Sequence, residues 1–201
     1  MHLITNRQPA RIMRKFLLIL LTALIACCIK TDLMPLDLSY PQNSVSLPAD
    51  LAAHEWAQLE WWYYTGHLKT KQGESFGFEL TFFRRRLDND RIHGVPLKIL
   101  ERTAYMGNFA LVSEKTGQYW GQGNFAPGYG NAHASVERYD VQIQDWKASG
   151  DEQLHNIEAK SGNYALQLQL EPMKPAALHG QGGIVPKGPN TANYYISVMS
   201  L

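Results

Sequence analysis

The chain has 201 residues and only two cysteines, Cys27 and Cys28, which are adjacent and close to the N-terminus. Residues 29–201 therefore contain no disulfide, and a domain formed there depends on its hydrophobic core for stability. The length is sufficient for one domain with a sizeable core. Apolar residues make up 45% and charged residues 18%, a balance that is typical of globular and not of disordered chains.

An excess of positive charge is also lacking. Lys and Arg number 19 against 18 Asp and Glu, a net charge of +1, and no basic stripe is interleaved with aromatic residues. A nucleic-acid partner is therefore not expected. The seven histidines lack the H-x-x-x-H spacing of metal ligands, so we predict no metal site and no cofactor.

No long segment has helical periodicity; instead, apolar residues alternate with polar ones. Tyr164, Leu166, Leu168 and Leu170 alternate with Ala165, Gln167, Gln169 and Glu171, a period of two that indicates a half-buried strand. Turn sequences such as "KQGE" and "SGN" lie between such segments. The predicted strands are 58–71, 75–86, 104–114, 118–123, 137–148, 153–160, 163–171 and 192–201. They predict an all-β, antiparallel barrel wide enough for one small ligand, with a sandwich as the alternative.

Two connections and the two ends of the chain complete the predicted organisation. Residues 87–103 are charged, and residues 172–191 are rich in Gly and Pro, so both are predicted as loops. We predict a signal peptide at 1–26, a tether at 27–50 and the barrel domain at 51–201. The last residues, "ANYYISVMSL", resemble a strand that stops without a polar tail, which predicts a truncated copy of a longer protein.

The N-terminus has the pattern of an export signal. Four basic residues precede the apolar run 16–29, which is shorter than the roughly 20 residues of a membrane-spanning helix. Removing residues 1–26 leaves 15 basic and 18 acidic residues. The run contains "LIAC", Leu24 to Cys27, which resembles a bacterial lipobox. We therefore predict lipidation of Cys27 and a location in the cell envelope, on the periplasmic side of a bacterial membrane, or else secretion. An ordinary cleaved signal and an uncleaved anchor are the alternatives to lipidation.

A possible nucleophile motif is present at Gly73-Glu74-Ser75-Phe76-Gly77, which matches G-x-S-x-G. In α/β-hydrolases this serine follows a strand and precedes a helix. Here Ser75 follows a predicted hairpin turn and enters a strand. We predict that Ser75 is not a nucleophile and that the protein is not a serine hydrolase.

The stretch "LEWWYYTGHL", residues 59–68, is the most informative part of the sequence. On a strand Trp61, Tyr63 and His67 face one side, and Glu60, Trp62 and Tyr64 face the other. Large aromatics on both faces indicate that both sides are covered. We favour Trp61, Tyr63 and His67 as the set that lines a ligand cavity. Polar residues within these apolar strands need partners if they are buried, and we predict that Glu79 pairs with Arg84 or His67, in a structural or ligand-binding network.

These motifs resemble those of a known family. "EWWYYTGHL", "GFELTFFRRR", "GNFALVSEKTG", "DW", "LHGQGGIVPKG" and "NYYISVMSL" occur in the order found in AttH-like proteins and carotenoid 1,2-hydratases (hydroxyneurosporene synthases), from about residue 55 onward. The resemblance implies a lipocalin-like fold with duplicated barrels. It also contributes to the set of predicted ligand-binding residues, which comprises Glu60, Trp61, Tyr63, His67, Glu79, Arg84, His179, Lys187, Tyr194 and Tyr195.

Two departures from the family pattern bear on function. No segment resembles the acidic "W-M-D-R-E-W" motif of the second barrel, and Asn108 stands where the family often has His. Hydration of a C=C bond needs a positioned acid. The first hypothesis is therefore an exported protein that binds an apolar ligand, an isoprenoid or another lipid. The alternatives are a carotenoid 1,2-hydratase-type enzyme and an accessory lipoprotein whose partner is an ABC transporter of the AttEFGH type.

Overall fold

A computed structural model describes residues 44–87, 90–96, 102–188 and 191–199 of the chain. In these residues the protein is all-β and its strands pair antiparallel, as predicted. The predicted signal peptide, Cys27 and most of the predicted tether lie outside the described residues. No helix in the described ranges has the length and apolar character needed to span a membrane.

The first sheet has the order β1-β2-β5-β6. Its strands are β1, Leu59–Lys69; β2, Ser75–Arg86; β5, Thr103–Ser113; and β6, Tyr119–Pro127. Between β2 and β5 lies a small hairpin of β3, Arg91–Ile92, and β4, Val95–Pro96. Because β1 is the first strand in this order, it is an edge strand of the sheet, and the candidate site lies beside it.

The second sheet has the order β11-β10-β9-β8-β7. Its strands are β7, Ala132–Ala134; β8, Tyr139–Ile143; β9, Trp146–Gly150; β10, His155–Ser161; and β11, Tyr164–Leu170. In the part of the chain that the structure describes, the two sheets have no strand pairing in common. The lipocalin-like barrel is therefore open, with two sheets that pack face to face.

Some predicted strands are divided in the structure. The predicted strand 137–148 is two strands, because the chain turns back at Gln144 and Asp145. Gln144 has a φ of 56°, the left-handed conformation that two-residue hairpin turns require. The predicted strand 192–201 is likewise divided into β14, Thr191–Tyr194, and β15, Ile196–Ser197.

The predicted loop 172–191 also contains regular structure. Strand β12, Ala177–Leu178, pairs with β15, and strand β13, Ile184–Gly188, pairs with β14. Sequence reasoning missed these short pairings because Gly and Pro dominate the segment. Their effect is to hold the segment 191–199 in a defined position.

The core lies between the two sheets. Leu80 and Phe82 of β2 and Phe109 of β5 contribute from the first sheet, and Trp146 and Ile157 contribute from the second; each is at most 2% exposed. The ring of Trp146 donates a hydrogen bond from Nε1 to the carbonyl oxygen of Lys160 at 2.8 Å, which satisfies its polar atom within the core. This burial joins the two sheets, which share no strand pairing among the described residues.

The outward face of the first sheet carries a row of apolar side chains. Trp61, Phe83, Met106 and Phe125 occupy register positions across β1, β2, β5 and β6. Trp61, Met106 and Phe125 are exposed, and Phe83 is half-buried. The register therefore places these apolar side chains next to one another on this face, and not as isolated surface residues.

The segment 44–58 lies against the sheets before β1 begins. It contains a short 3₁₀ turn, Ala49–Leu51. Val45 is buried and donates a backbone hydrogen bond to Gly182 at 2.7 Å, and Trp62 donates from Nε1 to the carbonyl oxygen of Leu51 at 3.2 Å. These contacts fix the segment as one border of the site.

Candidate functional site

A cleft with a volume of about 1310 Å³ runs along the free edge of β1. Its borders are β1, the segment 44–58 and the C-terminal segment 191–199, and its base reaches Phe78, Tyr139 and His155 between the sheets. Because β1 is an edge strand, the cleft extends around it and contacts side chains on both of its faces. Aromatic residues make up much of this lining.

The two faces of β1 have different environments. Tyr64 is buried and Trp62 is half-buried against the core, whereas Trp61 is 37% and Tyr63 46% exposed. The set favoured from the sequence, Trp61, Tyr63 and His67, therefore points to the outward face, and Trp62 and Tyr64 point inward. The alternation was predicted correctly, but its direction depends on which face the second sheet covers.

The outward side of the cleft is formed by aromatic residues from distant parts of the chain. The hydroxyls of Tyr63 and Tyr195 are 3.3 Å apart. The ring of Tyr194 packs on Trp56 with centroids 4.9 Å apart. The ring of Tyr195 stacks on His179 at 4.0 Å with an interplanar angle of 12°.

His179 supports this wall from behind. It is half-buried, and its Nε2 is 2.8 Å from the hydroxyl of Ser197. The backbone of His179 also donates to the carbonyl oxygen of Tyr195 at 3.1 Å. The structure thus brings three predicted site residues, Tyr63, His179 and Tyr195, into one cluster, while Tyr194 packs separately on Trp56.

A charged network closes one end of the inward face. Arg84 Nη1 donates to Glu60 Oε2 at 2.9 Å, and both side chains are about nine-tenths buried. Glu60 Oε1 accepts from the backbone N–H of His54 at 2.8 Å and is 2.8 Å from its Nδ1. The imidazole Nε2 is 3.1 Å from Asp50 Oδ1. Both oxygens of Glu60 are thus engaged with protein donors.

The carboxylates of this network affect the pKa of His54. The hydrogen bond to Glu60 is the largest cause that raises this pKa above its ordinary value, and Asp50 raises it further, against the opposing effect of burial. The network joins the segment 44–58 to β1 and β2. It therefore ties a border of the cleft to the barrel.

The predicted pairing of Glu79 with Arg84 or His67 is wrong. Glu79 and Arg84 are five residues apart on one strand, so their side chains point to opposite faces. Glu79 instead accepts from the hydroxyl of Thr81 at 3.1 Å. His67 lies on the exposed face, with its Nδ1 2.6 Å from Glu114 Oε1.

Sequence reasoning missed a polar cluster at the base of the cleft. The hydroxyl of Tyr64 is 2.5 Å from that of Tyr139 and 2.9 Å from Nδ1 of His155. All three residues are at least 94% buried. Burial raises the pKa values of Tyr64 and Tyr139 above the ordinary value and lowers the pKa of His155. The only sequence signal was that Tyr64 lies on the face opposite Tyr63.

The remaining predicted residues lie away from the cleft. Lys187 is exposed on β13 and is not part of the lining. Ser75 is the first residue of β2 and directly follows a turn, with no helix after it. Within the described ranges, no three His, Cys, Asp or Glu residues come together as metal ligands would.

Comparison with known proteins identifies the family of this chain. The model of the AttH-like family matches residues 39–201. The chain belongs to the AttH-like family. No curated protein matches it. This AttH-like protein is similar to the crystal structure of a candidate AttH (NE1406) from Nitrosomonas europaea, with 26% sequence identity and a TM-score of 0.65.

The extent of that similarity is asymmetric. The match covers 78% of this chain but 47% of the Nitrosomonas europaea protein, so this AttH-like protein spans about half the length of the solved structure that it matches. The family model over residues 39–201 establishes the family of this chain, and the antiparallel all-β structure agrees with the predicted lipocalin-like fold.

Proposed function

We propose that this AttH-like protein binds an apolar small molecule, of the isoprenoid or lipid class, in the cleft beside β1. The observation that carries the proposal is the lining of the cleft. Trp56, Trp61, Trp62, Tyr63 and Tyr194 contact one space of about 1310 Å³. Aromatic walls with a few polar groups are typical of sites for apolar ligands, and this volume accommodates a molecule larger than an ordinary drug.

The carboxylates of the cleft support binding in preference to chemistry. Addition of water to a C=C bond needs an acid that delivers a proton to carbon. Glu60 already accepts hydrogen bonds from Arg84 and His54. Asp50 likewise accepts from the backbone N–H of Ser46 at 2.6 Å and lies beside His54. Each of these carboxylates stabilises the segment 44–58, and we assign neither to proton transfer.

The experiment is a titration with N-phenyl-1-naphthylamine, an apolar probe that fluoresces on transfer from water. We expect saturable binding by the wild type. Trp62→Ala should weaken binding and also destabilise the fold by about 3–5 kcal/mol, because its indole packs against the core. Trp61→Ala should weaken binding with a smaller loss of stability, because Trp61 is 37% exposed.

A matched control is Trp120→Ala. Trp120 is half-buried on β6, its ring packs against Tyr164 with centroids 4.3 Å apart, and it is not part of the cleft lining. Its loss should leave probe affinity unchanged. Absence of saturable binding to the folded wild type would contradict the proposed function, as would equal weakening by the Trp120 variant.

We also propose, from the sequence, that the protein is exported and held at a membrane surface by a lipid on Cys27. The support is "LIAC" within an apolar run preceded by basic residues. An apolar ligand would be available to a cleft held close to a bilayer. Cys27→Ser should move the protein from the membrane fraction to the soluble fraction, or leave the signal uncleaved, and should abolish incorporation of labelled palmitate.

A further inference from the structure

The base of the cleft contains an imidazole whose second nitrogen has no partner. His155 is 5% exposed and lies in the lining beside Tyr64 and Tyr139. Its Nδ1 is 2.9 Å from the hydroxyl of Tyr64, but Nε2 is buried and has no hydrogen bond among the described residues. Buried polar atoms normally have a partner, so an unpaired nitrogen in a residue that lines the cleft calls for a functional explanation.

The hydrogen-bond pattern determines what Nε2 offers. If Tyr139 donates to Tyr64 and Tyr64 donates to Nδ1 of His155, both hydroxyl hydrogens are used and the ring carries its proton on Nε2. In the opposite arrangement Nδ1–H donates to Tyr64, Tyr64 donates to Tyr139, and the Tyr139 hydroxyl hydrogen has no acceptor. The first arrangement leaves one unpaired group and the second leaves two. The first is therefore favoured, and it makes Nε2–H a donor.

The surroundings agree with a neutral ring. Burial is the largest effect on the pKa of His155 and lowers it below the ordinary value, while Asp151 opposes this shift. Asp151 itself accepts from the backbone N–H groups of Gln153 and Leu154, at 2.8 and 3.0 Å. A neutral imidazole donates from one nitrogen and accepts at the other. The favoured arrangement requires this, because Nδ1 accepts from Tyr64 while Nε2 carries the proton.

We propose that Nε2–H of His155 is the polar anchor of the cleft and donates a hydrogen bond to an uncharged oxygen, a carbonyl or a hydroxyl, of an otherwise apolar ligand. Tyr64 and Tyr139 are positioning residues that fix the tautomer and orientation of the ring. This inference rests on the proposed function and deepens it: the ligand class becomes an oxygenated apolar molecule, and pure hydrocarbons bind without this contact.

The test compares 2-acetylnaphthalene with 2-ethylnaphthalene, which have similar shapes but differ in the carbonyl oxygen. Each displaces N-phenyl-1-naphthylamine from the wild type and from His155→Phe. We expect the variant to bind the ketone about 3- to 10-fold more weakly than the wild type does, the effect of one net hydrogen bond. Affinity for the hydrocarbon should change by less than twofold. A control, His133→Phe, alters a half-exposed histidine outside the cleft and should change neither.

Nuclear magnetic resonance of the ¹⁵N-labelled wild type gives a second readout that does not depend on any variant. The His155 ring should show the Nε2–H tautomer, and its Nε2–H proton should shift downfield with the ketone only. An Nδ1–H tautomer, or equal loss of affinity for both ligands in His155→Phe, would overturn the inference while the proposed function stands. If the folded wild type does not bind N-phenyl-1-naphthylamine, the proposed function itself fails, and the inference with it.

Discussion

Replacing Glu60 by Gln tests whether the buried charged network stabilises the fold. Arg84 is 9% exposed at its side chain, and Glu60 is its only ion-pair partner among the described residues. Glutamine keeps the size of the side chain but removes the charge. Loss of one partner from a buried pair costs about 3–5 kcal/mol, because the remaining charge stays desolvated. This is a large fraction of the roughly 5–15 kcal/mol that stabilises a typical domain.

The neighbouring arginine provides the control. Arg85 pairs with Asp90 at 2.9 Å, but its side chain is 53% exposed and that of Asp90 is 30% exposed. Asp90→Asn should therefore cost about 0–1 kcal/mol. We expect the urea midpoint at pH 7 to fall by about 2 M for Glu60→Gln, given slopes of roughly 1–3 kcal/mol/M, and by far less for Asp90→Asn. Equal midpoints for the two variants would refute a stabilising role for the buried pair.

Three further predictions follow from single sites. Gly107→Ala should destabilise the fold by about 1–3 kcal/mol in a thermal melt, because a Cβ atom there would lie 3.1 Å from the fully buried ring of Trp146; an unchanged melting temperature would contradict this packing. Protonated His54 stabilises the fold below about pH 6.5, and this contribution is lost as the pH rises through its raised folded pKa. As the pH rises above about 6.5, wild-type stability should fall more steeply than that of His54→Gln. Parallel stability curves for the two proteins would contradict this role of His54. A fluorophosphonate probe should not label Ser75, and labelling that Ser75→Ala abolishes would disprove the prediction.

Several features could be predicted from sequence because they depend on local chemistry. Alternation of apolar and polar residues identified strands such as 163–171, observed as Tyr164–Leu170. The period of two also predicted that Trp61 and Trp62 lie on opposite faces of β1. The motifs from residue 55 onward identified the AttH-like family, which the family model confirms. The position of Ser75 after a turn was predicted for the same reason, since Gly and polar residues mark the hairpin.

Only the tertiary structure decided the remaining features of the site, because these features depend on contacts between residues that are far apart in the chain. Which face of β1 points inward is fixed by the second sheet, which begins 63 residues after β1 ends. The partner of Arg84 is Glu60 on the adjacent strand, since strand register, and not proximity in sequence, brings their side chains together. The cluster of Tyr64, Tyr139 and His155 joins two sheets across a sequence separation of up to 91 residues, so no local pattern could reveal it.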